Sequence, residues 1–184
     1  MGRMNQGINS AFATLLEYEQ RSGKFAPDAQ GAGGPTEEWS GISFRLGGER
    51  RACNINRVSG ILPCPQSTPV PGAKPWIVGL ANIRGELLTV IDLARYLSGV
   101  RSPVTASSRL LATSLNKAPV GLMVDEVFGQ RRFVDSDAEP AELAEDSPLR
   151  KLVSRQHQIG SETWRELDLD RLFNLTEFLN GSAN

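Results

Sequence analysis

Residues Trp76–Leu97 read W-I-V-G-L-A-N-I-R-G-E-L-L-T-V-I-D-L-A-R-Y-L, and the rest of the chain is organised around them. Two apolar runs, Ile77 to Ile83 and Leu87 to Leu93, flank Arg84-Gly85. Glycine frees the backbone for the positive φ that a tight reversal needs, so the stretch predicts a β-hairpin. Its second arm ends in Asp92, a residue type that accepts hydrogen bonds from the first free N–H groups of a helix. Leu93 and Leu97, four apart, give that helix one buried face. The same ending returns later: Ile91-Asp92-Leu93-Ala94-Arg95-Tyr96-Leu97 aligns with Leu167-Asp168-Leu169-Asp170-Arg171-Leu172-Phe173, with Asp, Leu and Arg identical. The echo predicts two similar β units, each closed by a capped helix.

Composition narrows the function classes. The chain has 184 residues, enough for one domain or two small lobes that share an interface. Lys+Arg is 20 and Asp+Glu is 21, a net charge of -1, so no basic excess exists to hold nucleic acid or an anionic membrane. No uncharged apolar run approaches the roughly 20 residues of a spanning helix, so direct membrane insertion is not expected and the reading is cytoplasmic. Gln6 stands where a myristoylation signal carries Ser or Thr. Cys53 and Cys64 lack the spacing of a C-x-x-C pair and read as reduced, partly buried thiols. His157, the single histidine, lies between polar residues and is expected on the solvated surface.

Toward the N-terminus, Ile8, Phe12, Leu15 and Leu16 form one apolar stripe, which predicts an amphipathic helix over residues 9 to 20. Ser22 to Pro35 is rich in Gly and Ala and reads as a flexible linker, since its Gly33-Gly34 runs into Pro35 and not into the Gly-Lys-Ser/Thr of a phosphate loop. The expected organisation is therefore a helix and linker over 1 to 38 and a β domain over 39 to 180. Ile42, Phe44 and Leu46 alternate with polar neighbours up to the turn Gly47-Gly48. Short apolar bursts continue to Leu62, followed by Pro63, Pro65, Pro69, Pro71 and Pro75 in a stiff connection. The polar segment Ser98 to Ser108 is expected to separate two lobes. Beyond it, strands are predicted over Leu110 to Leu115, Val120 to Val127 and Gly129 to Val134, then a solvated acidic loop over Asp135 to Asp146. Ser147-Pro148 starts a short helix, Val153 to Ile159 and Thr163 to Leu169 form a last hairpin, and a closing helix buries Leu172, Phe173, Leu175 and Leu179. About ten short strands with helices at the edges argue for a mainly β fold, two five-stranded β-barrels packed on a shared core.

The candidates for acid–base chemistry are Asp92, Asp125, Asp168 and Glu86, each with a structural account: two helix caps, a strand end and a turn. No nucleophile–base pair, metal-ligand cluster or cofactor loop accompanies them, so neither catalysis nor a cofactor, metal or small-molecule substrate is expected. Arg84 differs, because a guanidinium at a hairpin tip offers five fixed donors to a partner's carboxylate or carbonyl.

Gly79, Asn82, Arg84 and Gly85, followed by Val90-Ile91-Asp92-Leu93, resemble the Gly-x-x-Asn-x-Arg-Gly hairpin and Val-Ile-Asp-Leu strand end of the CheW-like domain of bacterial chemosensory coupling proteins. Ile42-Ser43-Phe44-Arg45-Leu46-Gly47 is similar to that family's opening strand, Val58 to Leu62 to its third, and Gly121 to Val127 to its Gly-(apolar)-Val-Asp-x-Val strand. The resemblance covers roughly residues 39 to 175. It implies two β-barrels on a shared core and a non-catalytic adaptor between a chemoreceptor cytoplasmic tip and the regulatory domain of a CheA-type histidine kinase. Asn82, Arg84 and Gly85 would be partner contacts, with Val58 and Ile61 as apolar ones. Ser59-Gly60 and Arg50-Arg51 depart from the family pattern. The N-terminal extension and Trp39-Ser40-Gly41-Ile42 resemble the PilI-like branch, which serves type IV pilus twitching motility, with recruitment to membrane-associated arrays. A flagellar chemotaxis coupling protein, and a small β-barrel enzyme or ligand-binding domain, are the alternatives.

Overall fold

The structure is a computed structural model and describes residues 37–145 and 147–179. The helix expected over 9 to 20 and the linker after it lie outside these residues. In chain order the strands are β1 (Glu38–Leu46), β2 (Glu49–Asn54), β3 (Gly60–Pro63), β4 (Ile77–Ile83), β5 (Glu86–Asp92), β6 (Arg109–Leu115) and β7 (Ala118–Val124). They continue as β8 (Glu126–Val134), β9 (Ala138–Pro140), β10 (Val153–Ile159) and β11 (Glu162–Leu167). Helix α1 (Leu93–Ser98) follows β5, and α2 (Leu169–Asn174) and α3 (Thr176–Leu179) close the described chain.

The strands form a six-stranded sheet, β8-β1-β2-β11-β10-β9, and a five-stranded sheet, β3-β6-β7-β5-β4. Consecutive residues explain how the two sheets pack. Leu110 and Leu111 are both fully buried, although successive side chains of a strand point to opposite faces. Leu110 joins Ala81, Leu88, Val90 and Met123 on the inner face of the five-stranded sheet. Leu111 joins a second cluster with Ile91 and Leu122 that also takes Phe44, Cys53 and Leu167 from the six-stranded sheet. A strand apolar on both faces is one whose sheet curls round its own filling while its back packs on a neighbour. The six-stranded sheet is filled in turn by Ala52, Phe133 and Trp164, with Trp39 and Ile159 against them. Two barrel-like units on a shared core are the result, with about 1.5–3 kcal/mol from each fully buried leucine or phenylalanine.

Neither sheet closes into a full barrel, and each has a link that reaches beyond its ladder. In the five-stranded unit the proline-rich segment runs from edge strand β3 to edge strand β4 and pairs Thr68 with Leu80 through two 2.8 Å hydrogen bonds. Gly79 permits this approach: a Cβ there would lie 2.3 Å from the Thr68 carbonyl oxygen. In the six-stranded unit Arg155 of β10 bonds Asp135, just beyond β8, at 3.0 Å.

The repeated ending folds as predicted. Asp92 Oδ1 accepts from the Arg95 amide and Asp168 Oδ1 from the Arg171 amide, each at 3.0 Å. Their own amides donate to Trp76 and Leu152 carbonyls at 2.8 and 2.9 Å. Asp92 also takes the Ser102 amide and hydroxyl, both at 2.9 Å, which pins the loop after α1.

Several expectations are corrected. Ser98 to Ser108 is not a lobe boundary: β6 and β7 return to the sheet of β3–β5, where β7 runs parallel to β5. The chain instead crosses between sheets at Asp125, whose amide donates to the Arg45 carbonyl while its carboxylate accepts from Gly48. The strand expected from Gly129 starts at Glu126, because a bulge at Phe128, next to Gly129 (φ 118), lets β8 pair with nearly all of β1. The third strand starts at Gly60 and not Val58, since Asn54 caps a 3₁₀ turn over Ile55–Arg57. The acidic stretch holds a 3₁₀ turn at Asp135–Asp137 and the short strand β9, which pairs with β10. The closing helix is two short helices, with Leu172 and Phe178 buried and Phe173 and Leu175 half-buried.

His157 is the plainest correction. It is buried inside the six-stranded unit, with ring centroids 5.0 Å from Phe133 and 6.0 Å from Trp39. On β10 it faces Trp164 of β11, so strand alternation and not the polarity of its sequence neighbours decides its side. Cys53 is buried, and burial pushes its thiol up to about 12. Arg50 and Arg51 take opposite faces of β2: Arg50 bonds Glu162, and buried Arg51 bonds Glu49, which Arg165 also reaches.

Candidate functional site

The β4–β5 hairpin pairs Ile83 with Glu86, leaving Arg84-Gly85 as a two-residue loop. Both are left-handed, at φ 55 and φ 89, the pattern of a type I′ turn, whose twist matches that of the strands it joins. Glycine meets that demand without cost. Arginine meets it with strain, offset here because Asn82 Oδ1 accepts from the Gly85 amide at 2.9 Å. Of the three residues predicted at this tip, Asn82 thus locks the turn, Gly85 allows it, and Arg84 is the side chain presented to solvent.

A second tip stands beside it. Asn116 (φ 50) and Lys117 (φ 69) form the equivalent turn between β6 and β7. Arg84 and Lys117 both line a concavity of 630 Å³, with Ile61, Ile83 and Glu86 among its walls. Ile61 is 41% exposed, an apolar contact surface in a lining about evenly shared between polar and apolar side chains. Val58 lines a neighbouring concavity of 340 Å³ with Arg57, Asp170 and Phe173, and the two share Ser59, Thr113 and Ser114. Arg57 and Asp170 form an ion pair at 2.8 Å across the second one.

Three of the five predicted site residues line two adjoining concavities, a trough that Asn82 and Gly85 do not line. Arg84 and Ile61 both line the larger concavity, Val58 lies in the smaller one, and Asn82 and Gly85 shape the turn. Sequence reasoning missed Lys117 and Leu87, which is 59% exposed on β5 beside the tip. An Asn-Lys pair between apolar runs was the available signal for Lys117, since asparagine tolerates the left-handed region.

The acid–base candidates do not converge. Asp92 and Asp168 cap α1 and α2, Asp125 holds Gly48, and Glu86 alone faces the trough. What the trough offers is two cations, a carboxylate and apolar surface on a fixed frame, which suits recognition of another surface.

Residues 40–177 match the CheW-like domain, and the chain belongs to that family. It is 35% identical over 133 residues to Protein PilI of Pseudomonas aeruginosa, covering 72% of this chain and 75% of that one. It is 29% identical over 137 residues to Protein FrzA of Myxococcus xanthus, covering 74% and 86%. The crystal structure of the scaffolding protein TtCheW from Thermoanaerobacter tengcongensis shares the fold, with TM-score 0.65 and 21% identity over 76% of this chain and 95% of that one.

Proposed function

We propose that this chain is a non-catalytic adaptor that couples the cytoplasmic tip of a chemoreceptor to the regulatory domain of a CheA-type histidine kinase. The observation that carries the reading is the locked tip: Asn82 fixes the turn that holds Arg84 over a trough containing Ile61, with Val58 next along it. A fixed turn leaves only the arginine side chain to be ordered on docking, which lowers the entropy cost of using it as an interface anchor. Asp92 and Asp168 are engaged in caps and Asp125 at a strand crossing, which leaves Glu86 alone at the trough with no second candidate carboxylate beside it. The adaptor works in the cytoplasm, recruited to receptor arrays at the membrane.

The likeness to PilI supports the type IV pilus branch and a role in twitching motility. A strain lacking the protein loses surface twitching and keeps swimming; the reverse phenotype would move the assignment to flagellar chemotaxis. In the same reading residues 39 to 180 form the folding unit and residues 1 to 38 a tethered helix. Removal of residues 1 to 35 then leaves one cooperative thermal transition, and an insoluble or molten product would reject that division.

A further inference from the structure

The outer end of the six-stranded unit carries three arginines and the exposed Phe128, packed against the core indole of Trp164 and outside the trough. Arg45 of β1 and Arg50 of β2 stand over the Phe128 ring at 5.4 and 5.3 Å. Arg50 also stands over Trp164 at 5.5 Å, and Arg131 of β8 covers the same indole at 4.6 Å. Phe128 and Trp164 meet edge to face at 5.5 Å. Three guanidiniums thus alternate with two rings. Glu126 pairs with Arg45 at 3.0 Å and Glu162 with Arg50, whereas Arg131 enters no ion pair among the described residues.

Charged side chains on an edge strand such as β8 commonly guard it against stray pairing. That role accounts for arginines beside the edge and not for a guanidinium laid on an indole next to a phenylalanine that is 40% exposed. A cation over an aromatic face keeps its outer donors for an anion, and the ring beside it offers an apolar seat.

We propose that this end of the six-stranded sheet is a second docking surface, for an acidic segment of a partner protein that carries an apolar side chain next to its carboxylate. The carboxylate meets Arg131, the one unpaired cation of the row, and the apolar group covers Phe128. The surface lies on the opposite sheet from Arg84, so it adds to the coupling reading and does not depend on it.

The test titrates the full chain with a fluorescein-labelled peptide of alternating glutamate and phenylalanine, followed by anisotropy at low salt. Arg131→Met keeps an apolar cover on Trp164 while removing the charge, and it weakens binding about tenfold without lowering the melting temperature. Arg131→Lys retains most of the binding, Arg132→Met leaves it unchanged, and Phe128→Ala weakens it. Peptides with lysine for glutamate, or alanine for phenylalanine, bind more weakly than the probe. Equal affinity of wild type and Arg131→Met, or equal affinity for the lysine peptide, would overturn the proposal. A wild-type dimer that Arg131→Met dissociates would also overturn it, by giving this surface to a second copy.

Discussion

Asn82 Oδ1 accepts the Gly85 amide at 2.9 Å, and that bond closes the turn on which Arg84 stands. Asn82→Ala removes the acceptor from a turn whose first residue is a left-handed arginine. The expected loss is about 1 kcal/mol of stability, with faster hydrogen exchange at the Gly85 amide and weaker partner binding. Unchanged exchange would show that the strands hold the turn without the side chain.

Gly79 has a different reason to be glycine. Its missing Cβ leaves room for the Thr68 carbonyl, and an added methyl would lie 2.3 Å from that oxygen. Gly79→Ala should therefore cost about 2 kcal/mol or more in chemical denaturation, by pushing the proline-rich segment off β4. Gly85→Val acts on conformation alone, because nothing crowds a Cβ there but φ is 89°. It should destabilise the hairpin while the proline-rich segment keeps its bonds to Leu80.

How much of this was legible follows from which forces are local. The hairpin, its glycine and both aspartate caps are set within a few residues, so spacing alone revealed them. The partners of Asp92 beyond its own helix were hidden, because Ser102 reaches it from a loop that composition marked only as polar. Burial of His157 depends on which face of β10 turns inward, and polar neighbours on the other face masked it. The trough had the same difficulty. Val58 and Ile61 came from family resemblance and Arg84 from its hairpin tip together with that resemblance, whereas Lys117 joins them only when β6–β7 is set beside β4–β5 in space.

His157 also makes stability depend on pH. Burial lowers its pKa below the ordinary value near 6.5; the Glu166 carboxylate, 4.0 Å from Nε2, pulls upward, Arg155 pushes down, and Asp135 and Asp137 add smaller upward pulls. Between the folded and unfolded pKa values the unfolded chain binds more protons, so stability falls as pH drops below about 6.5 and levels off below the folded value. Denaturant midpoints across pH 7 to 5 measure this, and His157→Phe should remove its share of the slope. An identical slope in the variant would exclude His157 as the source.

The most direct test of the coupling role is a titration of purified kinase regulatory domain, and separately of a receptor cytoplasmic tip, against wild-type chain and Arg84→Glu. A hairpin-tip side chain contributes little to the core, so the variant should keep its stability within about 0.5 kcal/mol. The account predicts saturable binding of wild type to both partners and at least a roughly tenfold loss for one of them in Arg84→Glu. Equal binding by variant and wild type would contradict the placement of the contact at Arg84, and binding of neither partner by the wild-type chain would contradict the coupling function itself.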